Sequence, residues 1–294
     1  MDIPEFITFG GTEIAHCDPE NAEIVVLPIC YENAISYGTG TQTGPLHLLA
    51  ASEQLERMDE ETFTDWGELS IHTMAPLHPC ADADRAVEQM RLAATAPMAA
   101  GKRLLSLGGD HAIAIGPIQA AAELHKDLGV LQIDAHLDLR ERWNGSRNNH
   151  ACVMRRVIGD MGLPAAQVGI RSFSKEELDY VRHRGLSPFY AHGIDPVNDS
   201  WMDAVVDALP KKVYITLDLD GLDPSVIPGT GTPEPGGLTY RQVLRLLRRV
   251  GANRQVVAAD INELSAIAGN HVSEFTAAKL ATKIFVHCFS KNRR

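Results

Sequence analysis

The 294-residue chain contains only five cysteines, an odd number, and no two of them form a C-x-x-C pair. A disulfide framework and a thiolate zinc site are therefore not expected. No stretch approaches 18 consecutive apolar residues, and the amino terminus carries acidic residues where a signal peptide carries Lys or Arg. These absences predict a soluble protein that is not exported, and we expect it to be cytoplasmic.

Positive charge is also scarce, since 27 Lys and Arg residues stand against 38 Asp and Glu residues and the formal net charge is −11. Nucleic acids and anionic membranes both select basic patches, so neither is expected as a partner. A negative field instead favours a cationic small molecule as substrate. The chain has no low-complexity tract, internal repeat or Ser/Pro-rich linker, and we predict a single domain over residues 1–294.

Short apolar, β-branched runs alternate with segments of helical spacing along almost the whole chain. The predicted strands are residues 23–27, 68–72, 103–107, 129–133, 166–170, 187–191, 212–217 and 255–259. The predicted helices are residues 45–57, 83–99, 116–126, 174–183, 239–250 and 273–289. This alternation, with strands that are apolar on both faces, predicts an α/β fold in which helices cover both faces of a parallel sheet. A closed barrel is the alternative architecture.

Polar motifs follow three of the predicted strands. They are GGDH at residues 108–111, DAHLD at 134–138 and DLD at 218–220, the first with glycines that relax the backbone of a turn. Because the carboxyl ends of parallel strands lie at one edge of a sheet, we expect the three motifs to meet there. Asp134, His136 and Asp138 stand at alternate positions and would point the same way if the backbone remains extended.

Together the three motifs supply six side chains of the metal-binding type: His111, Asp134, His136, Asp138, Asp218 and Asp220. Four carboxylates and two imidazoles suit Mn²⁺ better than a thiolate-bound zinc ion. Asp and Gly after a strand also form turns and helix caps, but three such motifs, each ending a strand, favour a metal site. We predict two divalent ions that acidify a shared water and so provide a hydroxide near neutral pH.

The charge of such a centre indicates which substrate it would accept. The four aspartates cancel the four positive charges of two divalent ions, and a hydroxide then leaves the site negative by one. A cationic electrophile such as guanidinium restores neutrality, whereas an anionic phosphate ester worsens the balance. The prediction is therefore hydrolysis of a cationic small molecule, and phosphatase chemistry is disfavoured.

Four motifs occur in the same order as in the ureohydrolases, the family of agmatinases and arginases, which the chain resembles along most of its length. They are GGDHAI from Gly108, DAHLDLR from Asp134, DLDGLDPSVIPGTGTPEPGG from Asp218 and DINE from Asp260. The segment SYGTGTQTGP from Ser36 is similar to the family's loop ahead of the first long helix. The resemblance implies a three-layer α/β/α fold with an eight-stranded parallel sheet, two manganese ions per chain, urea release from a guanidino compound, and homotrimers or homohexamers.

The resemblance also implies a role for each metal ligand. Asp134 and Asp218 would bridge the two ions, His111 and Asp138 would bind one ion, and His136 and Asp220 would bind the other. His150 matches the position of the family's proton-shuttling histidine, a task that suits a pKa near neutrality. A surface histidine is the alternative interpretation of His150.

Glu263 matches the glutamate that binds the guanidinium in this family, where two carboxylate oxygens fit two parallel N–H donors. Without the resemblance it would be interpreted as an exposed glutamate at the start of a helix, which the helix dipole favours. Asp260 and Asp110 are expected to orient ligands, not to bind metal themselves.

The substrate's tail is the least defined part of the prediction. Arginases resemble one another in carrying Asn two residues after the last aspartate of the DAHLD motif, and this chain has Arg140 there. The loop PGTGTPEPGG is more similar to agmatinases, so we predict hydrolysis of agmatine to putrescine and urea, with Trp143 beside the tail. The alternatives are N-aminopropylagmatine, guanidinobutyrate, guanidine or arginine as substrate, a related single-metal deacetylase, and a non-catalytic metal or polyamine sensor.

Overall fold

All eight predicted strands form one parallel sheet in the computed structural model, which describes residues 2–15, 17–33 and 36–290. The strands are β1 (Ile24–Ile29), β2 (Ile71–Thr73), β3 (Arg103–Gly108), β4 (Leu128–Ile133), β5 (Ala165–Ile170), β6 (Phe189–Tyr190), β7 (Lys212–Asp218) and β8 (Gln255–Asn262). Their order is β2-β1-β3-β8-β7-β4-β5-β6, and every neighbouring pair is parallel. The sheet is open, with β2 and β6 at its edges, so it is not the closed barrel considered as the alternative.

Helices cover both faces of the sheet, which confirms the predicted three-layer α/β/α architecture. The helices are α1 (Gly44–Ser52), α2 (Ala83–Ala99), α3 (Ile115–Leu124), α4 (Val153–Arg155), α5 (Lys175–Arg184), α6 (Ser200–Asp207), α7 (Tyr240–Asn253) and α8 (Val272–Ile284). One apolar core lies between the sheet and α1, α6, α7 and α8, and a second core lies between the opposite face and α2, α3, α4 and α5. Strands buried on both faces explain the unbroken apolar runs in the sequence.

The predicted helices differ from the observed ones mainly at their ends. The segment predicted at 45–57 ends at Ser52, and the segment predicted at 273–289 continues beyond α8 only as a π-helical turn, Phe285–Phe289. Helices α4 and α6 were not predicted. No helix in the described part of the chain combines the length and apolarity that crossing a membrane requires.

The start of α5 is fixed by a capping box that also reaches the cleft at the carboxyl edge of the sheet. The Ser174 hydroxyl accepts from the backbone N–H of Glu177, and the Glu177 carboxylate accepts in return from the backbone N–H of Ser174 at 2.7 Å. The other oxygen of Glu177 accepts from the backbone N–H of Leu139 at 3.1 Å. The helix is thereby attached to the loop that follows β4.

Candidate metal centre

The six predicted metal ligands and Glu263 meet at the carboxyl ends of the four central strands. His111 follows β3, Glu263 follows β8, Asp218 ends β7 with Asp220 just after it, and the DAHLD motif follows β4. The chain crosses from β3 to β4 over the intervening β7 and β8, and ligand sites in open α/β sheets form at such crossover points. A cleft of 330 Å³ opens above this cluster, lined among others by His111, His136, Asp138 and Glu263.

His111 is the centre of the first group of ligands. Its Nδ1 lies 2.8 Å from Asp138 Oδ2, 3.1 Å from Asp134 Oδ2 and 3.4 Å from Asp218 Oδ2. All four side chains are buried. One nitrogen and three carboxylate oxygens therefore converge on a single small volume.

His136 is the centre of the second group. Its Nδ1 lies 3.1 Å from Asp220 Oδ2 and 3.5 Å from Asp134 Oδ1. The ligand atoms of His111, Asp134 and Asp218 lie within 4.8 Å of one another, as do those of Asp134, His136 and Asp220. Across residues 2–15, 17–33 and 36–290, these are the two groups that could each hold an ion, and they share Asp134.

Three of the four aspartates also accept a hydrogen bond from a backbone N–H group. Asp218 Oδ1 accepts from the backbone N–H of Asp220 at 2.9 Å, and Asp220 Oδ1 accepts from the backbone N–H of Ala135 at 3.1 Å. Asp134 Oδ1 accepts from the backbone N–H of His136 at 2.6 Å. The Oδ2 atoms face the histidines, so the turn-forming and the metal-binding interpretations of these aspartates are compatible.

The DAHLD motif does not converge by the extended geometry expected from its spacing. Strand β4 ends at Ile133, and Asp138 adopts a left-handed backbone conformation with φ of 51°. Glu263, after β8, has φ of 66°. Such conformations are costly for residues with a Cβ and collect at functional sites, where the surrounding structure enforces them. Neither strained position can be read from residue spacing.

The glycines of the GGDH motif serve mainly to let the backbone approach neighbouring strands closely. A Cβ on Gly109 would collide with the carbonyl oxygen of Tyr31, two residues after the end of β1. The neighbouring Asp110 is buried and accepts from the backbone N–H groups of Asn33 at 2.6 Å and Ala112 at 3.0 Å. Asp110 therefore fixes the turn that presents His111.

The hydrogen bonds of His111 indicate which of its two ring nitrogens carries the lone pair that could bind a metal ion. Its Nε2 lies 2.8 Å from the Thr216 hydroxyl, and that hydroxyl donates to Asp260 Oδ1 at 2.7 Å. Thr216 must then accept from His111 Nε2, so in the neutral form of the ring, the form that binds a metal, the lone pair is on Nδ1. Within the described part of the chain, the buried Nδ1 has no hydrogen-bond partner although three carboxylates surround it. A bound cation fits this donor set.

The electrostatics of the cluster also favour added positive charge. Burial and the Asp134 carboxylate raise the pKa of Asp138 to about 7, and burial with Asp220 and Asp134 raises the pKa of Asp218 well above its usual range. Burial alone would lower the pKa of His111, but Asp134 and Asp138 outweigh it and raise that pKa. Carboxylates this close repel one another, and divalent ions would relieve the repulsion.

A row of buried polar residues lies in register beneath the ligands, and sequence reasoning did not find most of it. The paired positions run across five strands: Ser106 in β3, Asp260 in β8, Thr216 in β7, Gln132 in β4 and Gln167 in β5. Gln132 donates to Asp134 Oδ2 at 2.7 Å and accepts from Gln167 at 2.7 Å. The sequence does carry a signal for this row, because each of the five apolar strands contains one polar residue at the paired position.

Asp260 occupies the orienting position expected for it. Its carboxylate accepts from Thr216 at 2.7 Å, from the Tyr214 hydroxyl at 2.7 Å and from the Asn262 amide at 2.6 Å. It contacts His111 only through Thr216. Three donors satisfy this fully buried carboxylate, which holds the Thr216 hydroxyl in place for His111.

His150 and Glu263 both line the cleft. His150 begins a short turn capped by Asn149, and its Nε2 lies 2.9 Å from the Ser36 hydroxyl. We expected a pKa near neutrality, but burial and the nearby His111 and His136 lower the pKa of His150 to about 4, so the ring is neutral at pH 7. Glu263 Oε1 accepts from the backbone N–H of His111 at 2.7 Å.

Glu263 lies in a loop, and Arg140 and Trp143 lie together in the wall of the cleft. No helix begins at Glu263, since the next helix, α8, starts at Val272, so the helix-start interpretation is wrong. Arg140 and Trp143 both line the cleft, and the Arg140 guanidinium lies over the Trp143 ring at 4.3 Å. Arg140 Nε is also 3.9 Å from Glu177 Oε2.

Comparison with known proteins agrees with this architecture. The sequence model of the arginase family matches residues 22–287. The chain is 39% identical over 306 residues to the N(1)-aminopropylagmatine ureohydrolase of Synechocystis sp., covering 100% of this chain and 99% of that protein. It is 40% identical over 275 residues to the Thermus thermophilus protein of the same name, covering 93% and 92%.

Among solved structures, the agmatine ureohydrolase of Thermoplasma volcanium matches with a TM-score of 0.84 and 32% identity, covering 92% of this chain and 91% of that one. The fold and the paired carboxylate and histidine groups thus define an enzyme of the ureohydrolase class. The chain belongs to the arginase family. This confirms the resemblance on which the site was predicted.

Proposed function

We propose that the chain is a two-manganese ureohydrolase that releases urea from a polyamine-like guanidino compound. The observation that carries the proposal is the pair of His/Asp groups that share Asp134 and lie beside Glu263 in one cleft. Four aspartates and two histidines form a donor set suited to Mn²⁺. When bound, two such ions supply a nucleophile near neutral pH and stabilise charge developing on the guanidino group.

Glu263 is proposed to bind the guanidinium. One of its oxygens is held by the His111 backbone N–H at 2.7 Å, and its strained backbone places the carboxylate at the end of β8, next to the ligands. Paired N–H donors of a guanidinium match the two oxygens of a carboxylate. The guanidino carbon would then lie above the two ligand groups.

His150 and Asp138 are proposed to carry a proton to the departing amine. Both line the cleft, and His150 Nε2 is connected to the Ser36 hydroxyl at its rim. Within the described residues, His150 Nδ1 is buried without a hydrogen-bond partner, so a ring nitrogen is available for proton exchange. A neutral imidazole is the form that can accept a proton.

For the substrate's tail, we propose N(1)-aminopropylagmatine, in place of the agmatine that the sequence motifs suggested. The support is the similarity to the N(1)-aminopropylagmatine ureohydrolases of Synechocystis and Thermus, at 39% and 40% identity. Agmatine is the second candidate, because the Thermoplasma structure at 32% identity is an agmatine ureohydrolase. Both compounds carry positive charge in the tail, and the chain's net charge of −11 favours binding of such cations.

A urea-release assay on the Mn²⁺-loaded protein tests the proposal, with N(1)-aminopropylagmatine, agmatine, guanidinobutyrate, guanidine and arginine as substrates. We expect two Mn²⁺ per chain by elemental analysis and the highest kcat/KM for N(1)-aminopropylagmatine. One zinc ion per chain without urea release would favour the single-metal deacetylase. Bound metal with no urea from any compound would favour the sensor.

We further propose that the chain is a single catalytic domain that functions as a homotrimer or homohexamer in the cytoplasm. The five cysteines are all free, as expected for a reducing compartment. Light scattering on the purified protein measures the assembly size, and a monomer would contradict this part of the proposal.

A further inference from the structure

Glu234 lies at the rim of the same cleft as the two ligand groups. It belongs to the loop between Asp220 and α7 and stands between two prolines, Pro233 and Pro235. Its Oε1 accepts from the Ser172 hydroxyl at 2.8 Å, and Ser172 is paired with His136 through a parallel bridge. The Glu234 carboxylate is therefore on the His136 side of the cleft, whereas Glu263 is bonded to His111.

The loop that carries Glu234 is held by a guanidinium. Arg171 donates to the carbonyl oxygens of Asp220 and Glu234, each at 2.6 Å, and to that of Leu222 at 3.2 Å. The flanking prolines restrict the backbone further, because each ring fixes φ and also limits the residue before it. Glu234 is thus presented by a rigid segment, which limits the entropy lost on binding a ligand.

The other charged groups at the rim already have partners. Arg140 is stacked on Trp143 at 4.3 Å and faces Glu177 at 3.9 Å. Glu177 in turn accepts from backbone N–H groups with both oxygens. By contrast, among residues 2–15, 17–33 and 36–290, no Lys, Arg or His nitrogen lies within 4.0 Å of the Glu234 carboxylate. The Arg171 guanidinium interacts electrostatically with Glu234 but donates its hydrogen bonds to backbone carbonyl oxygens, so the Glu234 carboxylate remains open to a cation that enters the cleft.

We propose that Glu234, supported by Ser172, binds the ammonium group nearest the guanidino end of the substrate's tail and so selects amine-tailed guanidino compounds. This inference rests on the proposed function. The aromatic rings of Trp143 and Phe173 line the cleft and form apolar surface for the methylene groups between guanidinium and ammonium. A substrate whose tail carries a carboxylate would be repelled by Glu234. Arg140 would attract it only weakly, because Arg140 already faces the Glu177 carboxylate.

The test compares agmatine with pentylguanidine, in which a methyl group replaces the ammonium at nearly the same length. Glu234→Gln keeps an acceptor for Ser172 but removes the charge. We expect kcat/KM for agmatine to fall about tenfold or more, mainly through KM, since a charged hydrogen bond is lost in binding. Turnover of pentylguanidine should change by less than about twofold. Glu176→Gln, an equal charge change at an exposed position, is the control and should leave both values unaltered.

The outcomes separate the inference from the proposed function. If the wild type releases urea from agmatine and Glu234→Gln keeps the same preference over pentylguanidine, the assignment of Glu234 is wrong. An equal loss on both compounds would show a structural role and also overturn it. If the wild type releases urea from no guanidino compound, the proposed function fails and the assignment fails with it.

Discussion

Replacing Thr216 by Val tests whether the buried row beneath the ligands positions the metal site. The substitution keeps the shape of the side chain and removes the hydroxyl that accepts from His111 Nε2 and donates to Asp260. Asp260 keeps two donors, Tyr214 and Asn262. His111 keeps its carboxylate neighbours but loses the contact that fixes its tautomer and ring orientation.

We expect Thr216→Val to lower both the folding stability and the metal affinity of the protein. The Nε2–H of His111 becomes a buried donor without an acceptor, which costs about 1 to 3 kcal/mol of folding stability. Loss of a group that orients a metal-binding histidine weakens metal affinity about 10- to 100-fold. That range corresponds to roughly 1.4 to 2.8 kcal/mol of binding free energy. We expect Thr216→Val to fold and to bind Mn²⁺ more weakly by this factor.

Calorimetric titration of the metal-free protein with Mn²⁺ measures the affinity, and denaturant unfolding without metal measures stability. Thr282→Val is a matched control, because Thr282 is also buried and donates only within α8, to the Lys279 carbonyl at 2.8 Å. The control should lose stability but bind Mn²⁺ as the wild type does. Wild-type affinity in Thr216→Val, with a stability loss like that of the control, would refute the positioning role.

Three further predictions follow from other parts of the structure. Asp218→Ala should abolish both Mn²⁺ occupancy and urea release, and full activity in this variant would refute the proposed mechanism. Arg171→Lys keeps the charge but cannot reach the same set of carbonyls, so we expect kcat/KM to fall about tenfold and residues 222–237 to become protease-sensitive. Burial opposes ionisation of Asp59, but hydrogen bonds from Lys283 and Thr62 outweigh it and lower the pKa to about 2. The stabilisation by Asp59 is therefore complete above its unfolded pKa of about 3.9 and disappears as the pH falls through about 2. Between these two pH values, the free energy of unfolding measured by denaturant titration should depend less on pH in Asp59→Asn than in the wild type.

The strands were predictable because burial on both faces leaves a simple mark in the sequence. The segment predicted at 129–133, for example, is β4 (Leu128–Ile133), and every residue of β4 is buried. Helix α6 (Ser200–Asp207) was missed because eight residues give little more than two turns, too few to establish a period. Ends were less predictable than centres, since capping and tertiary packing decide where a helix stops.

For the candidate metal centre, the position of each motif after a strand predicted where its side chains lie, but the backbone conformations of the site could not be predicted. Asp134, Asp218 and His111 could be placed at one edge because each follows a parallel strand, and the structure brings them together. The left-handed conformation of Asp138 could not be anticipated, because only a small minority of aspartates adopt it and the surrounding fold decides which ones do. The partner of Glu234 was equally hidden, since Ser172 is 62 positions away in the sequence.

The buried polar row has a consequence for how the two ligand groups depend on each other. Thr216 and Gln132 are paired in register on adjacent strands, and they contact His111 and Asp134 respectively. The first group is thus held at two of its members, His111 and Asp134, and the second is held at the shared Asp134. A change at Asp134 or Gln132 should weaken both groups together, whereas a change at Asp220 touches only the His136 group. The sheet register therefore makes the two candidate ion positions unequal, with the His111 position the more firmly built.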